Sequence, residues 1–172
     1  MVVLSAQDSD KHINEIAPPF FAAYPDFSAI AAASPEALHR HLKGVRNFAN
    51  KCNWLYTMAK KINAGKIPLA MDDLISLPGI GRKSANVIRR ELKQTAEGII
   101  VDLHVLRVVP RLGLSTAKDP SKMEKDLMKI ISKPLWNDVG MSISFLGRET
   151  CRPTNPKCNE CVMEPYCAYA HT

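Results

Sequence analysis

The stretch Leu77-Pro78-Gly79-Ile80-Gly81-Arg82-Lys83-Ser84-Ala85-Asn86-Val87 lies between two runs of helical apolar spacing. A turn this short between helices calls for positive φ, which glycine adopts at little steric cost. Gly79 and Gly81 also leave backbone N–H groups uncovered where the next helix begins, at the positive end of its macrodipole. A phosphate oxygen can approach such bare backbone closely, a contact that positions nucleic acid without reading its sequence. Leu77, Pro78, Gly79, Ile80, Gly81 and Arg82 are therefore candidate DNA-contact residues. Pro-Gly alone also describes a plain interhelical turn, so the weight rests on the longer string. Lys83 follows Arg82 at the start of the next helix, and both the neighbouring cation and the helix terminus favour a neutral amine. The same position also suits a phosphate-binding or solvated lysine.

Outward from the hairpin the chain reads as helices joined by short turns, without strand-like alternation and without a solenoid repeat. Residues 1–7 read as the end of an apolar helix. A helix over 9–24 should kink or restart at Pro18-Pro19. Ser34-Pro35-Glu36 combines an N-cap, a proline at the first helical position and an acid in the first turn, and its helix should run to about Lys43 and stop at Gly44. Residues 47–63 place Phe48, Cys52, Leu55, Met58, Ala59 and Ile62 on one face, with Gly65 as the stop. Further helices are expected over 71–77, 82–93, 102–108 (with Asp102 as N-cap and Pro110 ending or kinking it), 120–132 and 135–147, the last stopped by Gly147. The result is an all-α chain of about eight helices, ending in a loop from 151 to 167.

Composition sets the class of partner. Of 172 residues, 46% are hydrophobic, enough for a folded core. Lysine and arginine number 23 against 17 acids, a net charge of +6 that suits a polyanion. No apolar run approaches the roughly 20 residues of a membrane span, and the start has no basic n-region of a signal peptide. A reducing compartment is expected, cytoplasmic and nucleoid-associated in a bacterium or nuclear in a eukaryote. There, clustered cysteines are metal ligands more often than disulfides.

Four of the five cysteines, Cys151, Cys158, Cys161 and Cys167, have the spacing C-x6-C-x2-C-x5-C. Four thiolates suit zinc or a [4Fe-4S] cluster. The usual zinc pattern pairs one C-x2-C with a second, which this chain lacks. Arg148, Arg152 and Lys157 surround the loop and could face a phosphate backbone. Cys52 falls in an apolar helical stripe and reads as core.

Together these strings resemble the helix–hairpin–helix DNA glycosylases, and within them the endonuclease III family. LPGIGRKSANV is similar to that family's hairpin, Val101-Asp102-Leu103-His104-Val105-Leu106-Arg107-Val108 to its V-D-T-H-V-x-R-V string, and the cysteine spacing to its C-terminal [4Fe-4S] loop. The resemblance implies an all-α, two-lobed helix–hairpin–helix glycosylase fold, with lobes over 1–95 and 96–172. It also implies base-excision repair by a bifunctional DNA N-glycosylase and abasic-site lyase acting, as a monomer, on duplex DNA with an oxidised pyrimidine or an abasic site. Lys83 becomes the nucleophile that forms a Schiff base with the sugar, and Asp102, across the cleft, the carboxylate that assists base departure. His104 becomes a DNA-interface residue and the four cysteines the ligands of a [4Fe-4S] cluster. Leu4-Ser5-Ala6-Gln7 matches the family's LSAQ, making Gln7 the plug for the gap left by a flipped nucleotide. Val45, after Gly44, is the candidate second wedge, although Gly44-Val45-Arg46-Asn47 departs from the family's pattern. Leu103 replaces the usual threonine, Lys93–Gly98 lacks the usual small apolar residues, and family members carry an additional N-terminal helix. A glycosylase for another lesion or mismatch, and a DNA-binding protein that keeps the hairpin without catalysis, are the competing readings.

Overall fold

The computed structural model describes residues 1–62 and 66–171, and among them it holds ten α-helices, several short 3-10 turns and no strand. The helices are α1 Val2–Ser5, α2 Asp10–Ala23, α3 Phe27–Ala32, α4 Pro35–Leu42, α5 Phe48–Lys61, α6 Met71–Ile75, α7 Arg82–Glu91, α8 Leu103–Arg111, α9 Pro120–Ile130 and α10 Trp136–Glu149. The chain divides into two compact units, Met1–Ile88 and Arg89–Thr172, with the division inside α7; the boundary expected from sequence lies a few residues further on.

Short polar side chains start several of these helices by accepting an otherwise unpaired first-turn N–H. Ser9 accepts from His12 N, Asp26 from Ala29 N, Ser34 from Ala37 N and Asp119 from Lys122 N, at 2.8–3.2 Å. The Asp26 cap opens α3, a helix the sequence reading left out. The stop expected at Gly65 lies outside the described residues.

Three sequence expectations need correction, all concerning helix breakers. Pro18 and Pro19 do not restart α2; both sit inside it. Each proline removes a donor to the carbonyl four residues earlier. Those carbonyls belong to Asn14 and Glu15, which are exposed and within reach of water, while Ile13 and Phe20 hold the opposite face in the core. Pro110 likewise lies within α8, which continues to Arg111. Gly147 does not stop α10, which runs to Glu149. It is a contact glycine instead, since a Cβ there would lie 2.9 Å from His104 Cβ and 3.0 Å from Val108 Cγ2.

The first unit packs Leu4, Ile13, Phe20, Leu38, Leu42, Cys52, Leu55, Leu74 and Ala85 into one core. Each large aliphatic side chain buried there contributes about 1.5–3 kcal/mol. The second unit has its own core of Ile99, Val101, Val105, Val108, Val109, Met123, Leu127 and Ile143. In that unit α10 lies against residues 100–108 by way of two glycines, two turns apart on one face. A Cβ on Gly140 would overlap the Ile100 backbone as one on Gly147 would crowd His104.

Candidate nucleic-acid interface and catalytic residues

The hairpin is built from the inside outward. Leu77 and Ile80 are buried in the first unit's core, and the Ile80 N–H donates to the Leu77 carbonyl at 3.2 Å, closing the turn. Those two side chains anchor the hairpin, so any contact it makes with DNA comes from backbone. Gly79 has φ +79°, and a Cβ there would meet the Trp54 ring at 2.7 Å and Val3 at 3.3 Å. Its lack of a side chain serves both the turn and the packing beneath. Gly81 differs: a Cβ there would have nothing within 4 Å. Its outward side is open, as close approach of a phosphate requires. Gly81 accepts from Ala85 N through its carbonyl, which begins α7. Arg82 and Lys83 follow as the exposed first residues of that helix, whose first turn carries no acid.

Gln7 is exposed and sits at φ +59°, in the left-handed region that non-glycine residues seldom enter. Two neighbours hold it there, and sequence reading had missed both. Lys51, on α5, is only 2% exposed. Its Nζ donates to the carbonyls of Leu4 at 2.8 Å and Ala6 at 2.6 Å, tying off the end of α1. Burial pushes the Lys51 pKa below its usual value. Asp8 accepts from Arg46 N at 2.8 Å on Oδ2, and on Oδ1 from Ser9 N at 2.9 Å, beside His12 Nδ1 at 2.8 Å. The Arg46 N–H, followed by the His12 contact, lowers the Asp8 pKa to about 2. A lysine inside an otherwise apolar helical stripe was the signal available for Lys51. Val45 is 2% exposed and packs into the first core; its neighbours Gly44, Arg46 and Asn47 are exposed, the last at φ +58°. A wedge has to project outward, and Val45 does not.

In the second unit, Asp102 caps α8. Its Oδ1 accepts from His104 N and Val105 N, both at 2.9 Å. Its Oδ2 accepts from Ser144 Oγ at 2.5 Å and lies 4.0 Å from Arg148 Nη2. The carboxylate is held by four groups yet remains 12% exposed. Ser144 is fully buried. His104, half-buried, has its Nδ1 3.3 Å from Arg107 Nη2. Leu103, in the place where the family has threonine, is 68% exposed.

Cys151, Cys158, Cys161 and Cys167 all line one small cavity, together with Leu112, Leu146 and Pro156. Short 3-10 turns at Cys158–Glu160 and Glu164–Tyr166 carry the chain around it. Among the described residues no three His, Cys, Asp or Glu side chains converge on a single ion's position. Arg111 Nη1 donates to Cys151 Sγ at 3.3 Å and to the Arg152 carbonyl at 2.8 Å, while Arg107 donates to the carbonyls of Gly147 and Cys151.

Residues 1–133 match the family described as HhH-GPD superfamily base excision DNA repair protein. The chain is 36% identical over 171 residues to an endonuclease III of Synechocystis, covering 98% of this chain and 78% of that one. It is similar in structure to a non-covalent endonuclease III–DNA complex (TM-score 0.87, 33% identity) and to a trapped endonuclease III–DNA covalent intermediate (TM-score 0.90, 32% identity). In both, 99% of this chain and 81% of the other are covered.

Proposed function

The chain belongs to the HhH-GPD superfamily of base excision DNA repair proteins, and from that premise we propose how its residues divide the work of a DNA glycosylase and abasic-site lyase. The function itself follows from the endonuclease III relatives and from the structural likeness to the covalent DNA intermediate. Lys83 is the nucleophile. Its Nζ bonds to C1′ of the flipped nucleotide as the glycosidic bond breaks, and the departing base takes the electron pair and a proton. The amine loses its own proton, the sugar ring opens, and an iminium results. Loss of a C2′ proton then expels the 3′ phosphate, and water releases the lysine. Asp102 stabilises the positive charge that builds on the sugar.

The observation that carries this reading is the exposed Lys83 at the start of α7, directly after a hairpin whose Gly81 is open on its outer side. Gly81 and Arg82 grip the phosphate backbone, and Gln7 fills the gap left by the flipped nucleotide. The substrate is duplex DNA containing an oxidised pyrimidine or an abasic site, and the site of action is wherever the cell keeps its DNA. No helix among the described residues is long and apolar enough to cross a membrane.

A [4Fe-4S] cluster fits the cysteine loop, because all four thiols line one cavity without three of them converging on a single ion's position. Cys151, Cys158, Cys161 and Cys167 would hold it. Bound there, the cluster supplies a cross-link for a segment with little regular structure of its own.

Borohydride reduction on an abasic duplex tests the assignment of Lys83. The wild-type protein should give a covalent adduct and Lys83→Ala none. Folded wild-type protein that binds the duplex without forming an adduct would instead be a hairpin protein that binds DNA and does no chemistry.

A further inference from the structure

We infer that Ser144 is a positioning residue for the reaction: its buried hydroxyl fixes the orientation of the Asp102 carboxylate. The inference rests on the reading of Asp102 as the carboxylate that stabilises that charge.

A carboxylate used in this way has conflicting needs. It must stay anionic and partly open to the substrate, and it must not rotate. Helix capping satisfies only half of this. The two first-turn N–H groups of α8 occupy Oδ1 of Asp102, and a capping aspartate needs nothing more to start a helix. Oδ2 remains the oxygen able to work, and its direction depends on what else touches it.

Ser144 Oγ donates to Oδ2 at 2.5 Å and is 0% exposed. A fully buried hydroxyl cannot exchange that partner for water, so the bond is part of the fold. The cation near Oδ2, Arg148, is one turn further along α10, more distant at 4.0 Å and more than a third exposed. Its attraction is screened by solvent and carries little directional information. Ser144 is therefore the group that sets the orientation.

The placement of Ser144 is also built into the helix. Gly140 lies one turn before it and Gly147 three residues after, and these are the two positions where α10 touches residues 100–108 without room for a Cβ. Their absent side chains bring this face of α10 close enough for a short serine to reach Asp102. A serine is small, and at an ordinary helix separation it would fall short. Nothing in the capping of α8 requires that approach.

The experiment uses a duplex with a single abasic site, on which strand nicking is followed under saturating and subsaturating conditions. Ser144→Ala should lower kcat at least tenfold and leave KM within about twofold, because DNA binding is untouched while charge stabilisation is lost. Ser144→Thr, which retains the hydroxyl, should recover most of kcat. Asp102→Asn is run beside them. If Asp102→Asn is slow and Ser144→Ala is as fast as wild type, the positioning role is wrong while the reading of Asp102 stands. If Asp102→Asn itself nicks at the wild-type rate, the reading beneath it falls. A loss in Ser144→Ala that Ser144→Thr does not recover, with KM raised and the melting temperature lowered, means that Ser144 serves packing alone and overturns the inference.

Discussion

The carboxylate of Asp8 takes the backbone N–H of Arg46 at 2.8 Å, joining two turns far apart in sequence, one bearing Gln7 and the other Asn47. Both of those residues are exposed and adopt left-handed φ values near +59° and +58°. Strain of this kind costs on the order of 1–3 kcal/mol per residue and persists only where its surroundings enforce it. Asp8 and the buried Lys51 are the enforcing groups in the first unit.

That arrangement has a pH signature. The Asp8 pKa falls from an ordinary 3.8 to about 2 on folding. Between those values the unfolded chain binds more protons than the folded one, so stability declines as pH drops through the window. Below about pH 2 the contribution is gone, and above about pH 5 it is complete. Asp8→Asn should therefore be less stable than wild type at neutral pH, with the gap in urea midpoint closing as the pH is lowered toward 2. Other acids titrate in both proteins and cancel in the difference. A gap independent of pH would show that the Asp8 contacts do not depend on its charge.

The two hairpin glycines should fail in different ways. Gly79→Ala meets the Trp54 ring at 2.7 Å and must hold φ +79° with a side chain. It should cost about 1–3 kcal/mol of folding stability. Gly81→Ala adds a methyl group to open space. It should melt like wild type yet bind an abasic duplex roughly tenfold more weakly, the equivalent of about 1.4 kcal/mol, because the methyl group stands where a phosphate would approach. Equal DNA affinity for Gly81→Ala and wild type would remove the backbone–phosphate contact from the account.

The part of the site that could be read in advance consists of local strings. LPGIGRKSANV specifies a turn, a bare backbone and a lysine within a few residues. VDLHVLRV places an acid at an N-cap. In both, spacing along the chain is spacing in space. Ser144 was invisible for the opposite reason: its relation to Asp102 spans 42 residues and depends on two glycines that bring α10 close. Gly147 was read as a helix stop because glycine usually disfavours helix interiors, and here tertiary packing outweighed propensity. Pro18 and Pro19 were read as a break, yet Ile13 and Phe20 kept the helix docked on either side of them. Val45 shows the limit of an offset argument. A residue just after a glycine in the expected place turned out to be core, and exposure fell to its neighbours.

Cys52 should behave unlike the other four cysteines. It is fully buried in the first unit, and burial pushes its thiol up to about 11. Alkylation proceeds through the thiolate, so the native protein should leave Cys52 unmodified at neutral pH. Denaturation should expose it to the label, read by mass on the peptide that carries Cys52. Rapid labelling of Cys52 under native conditions would mean that the α4–α5 core opens far more often than its packing implies.

The cysteine loop offers the sharpest separation between support and chemistry. Apart from short 3-10 turns, residues 151–171 have little to hold them; Arg111 to the Arg152 and Pro153 carbonyls and Lys157 N to the Thr150 carbonyl are among the few ties. Cys158→Ser removes one thiolate from the cavity. Iron content should drop from about four per chain toward zero, and proteolysis should accelerate within the loop. Lys83 and Asp102 take no part in that cavity. The variant should therefore still form the borohydride adduct on abasic DNA, with weaker binding as the main loss, because Arg152 and Lys157 are no longer held in place. An iron-free variant that stays folded, binds the duplex normally and forms no adduct would show instead that the loop reaches into the chemical step. Zinc without iron or sulfide in wild-type protein would replace the cluster by a different centre on the same four ligands.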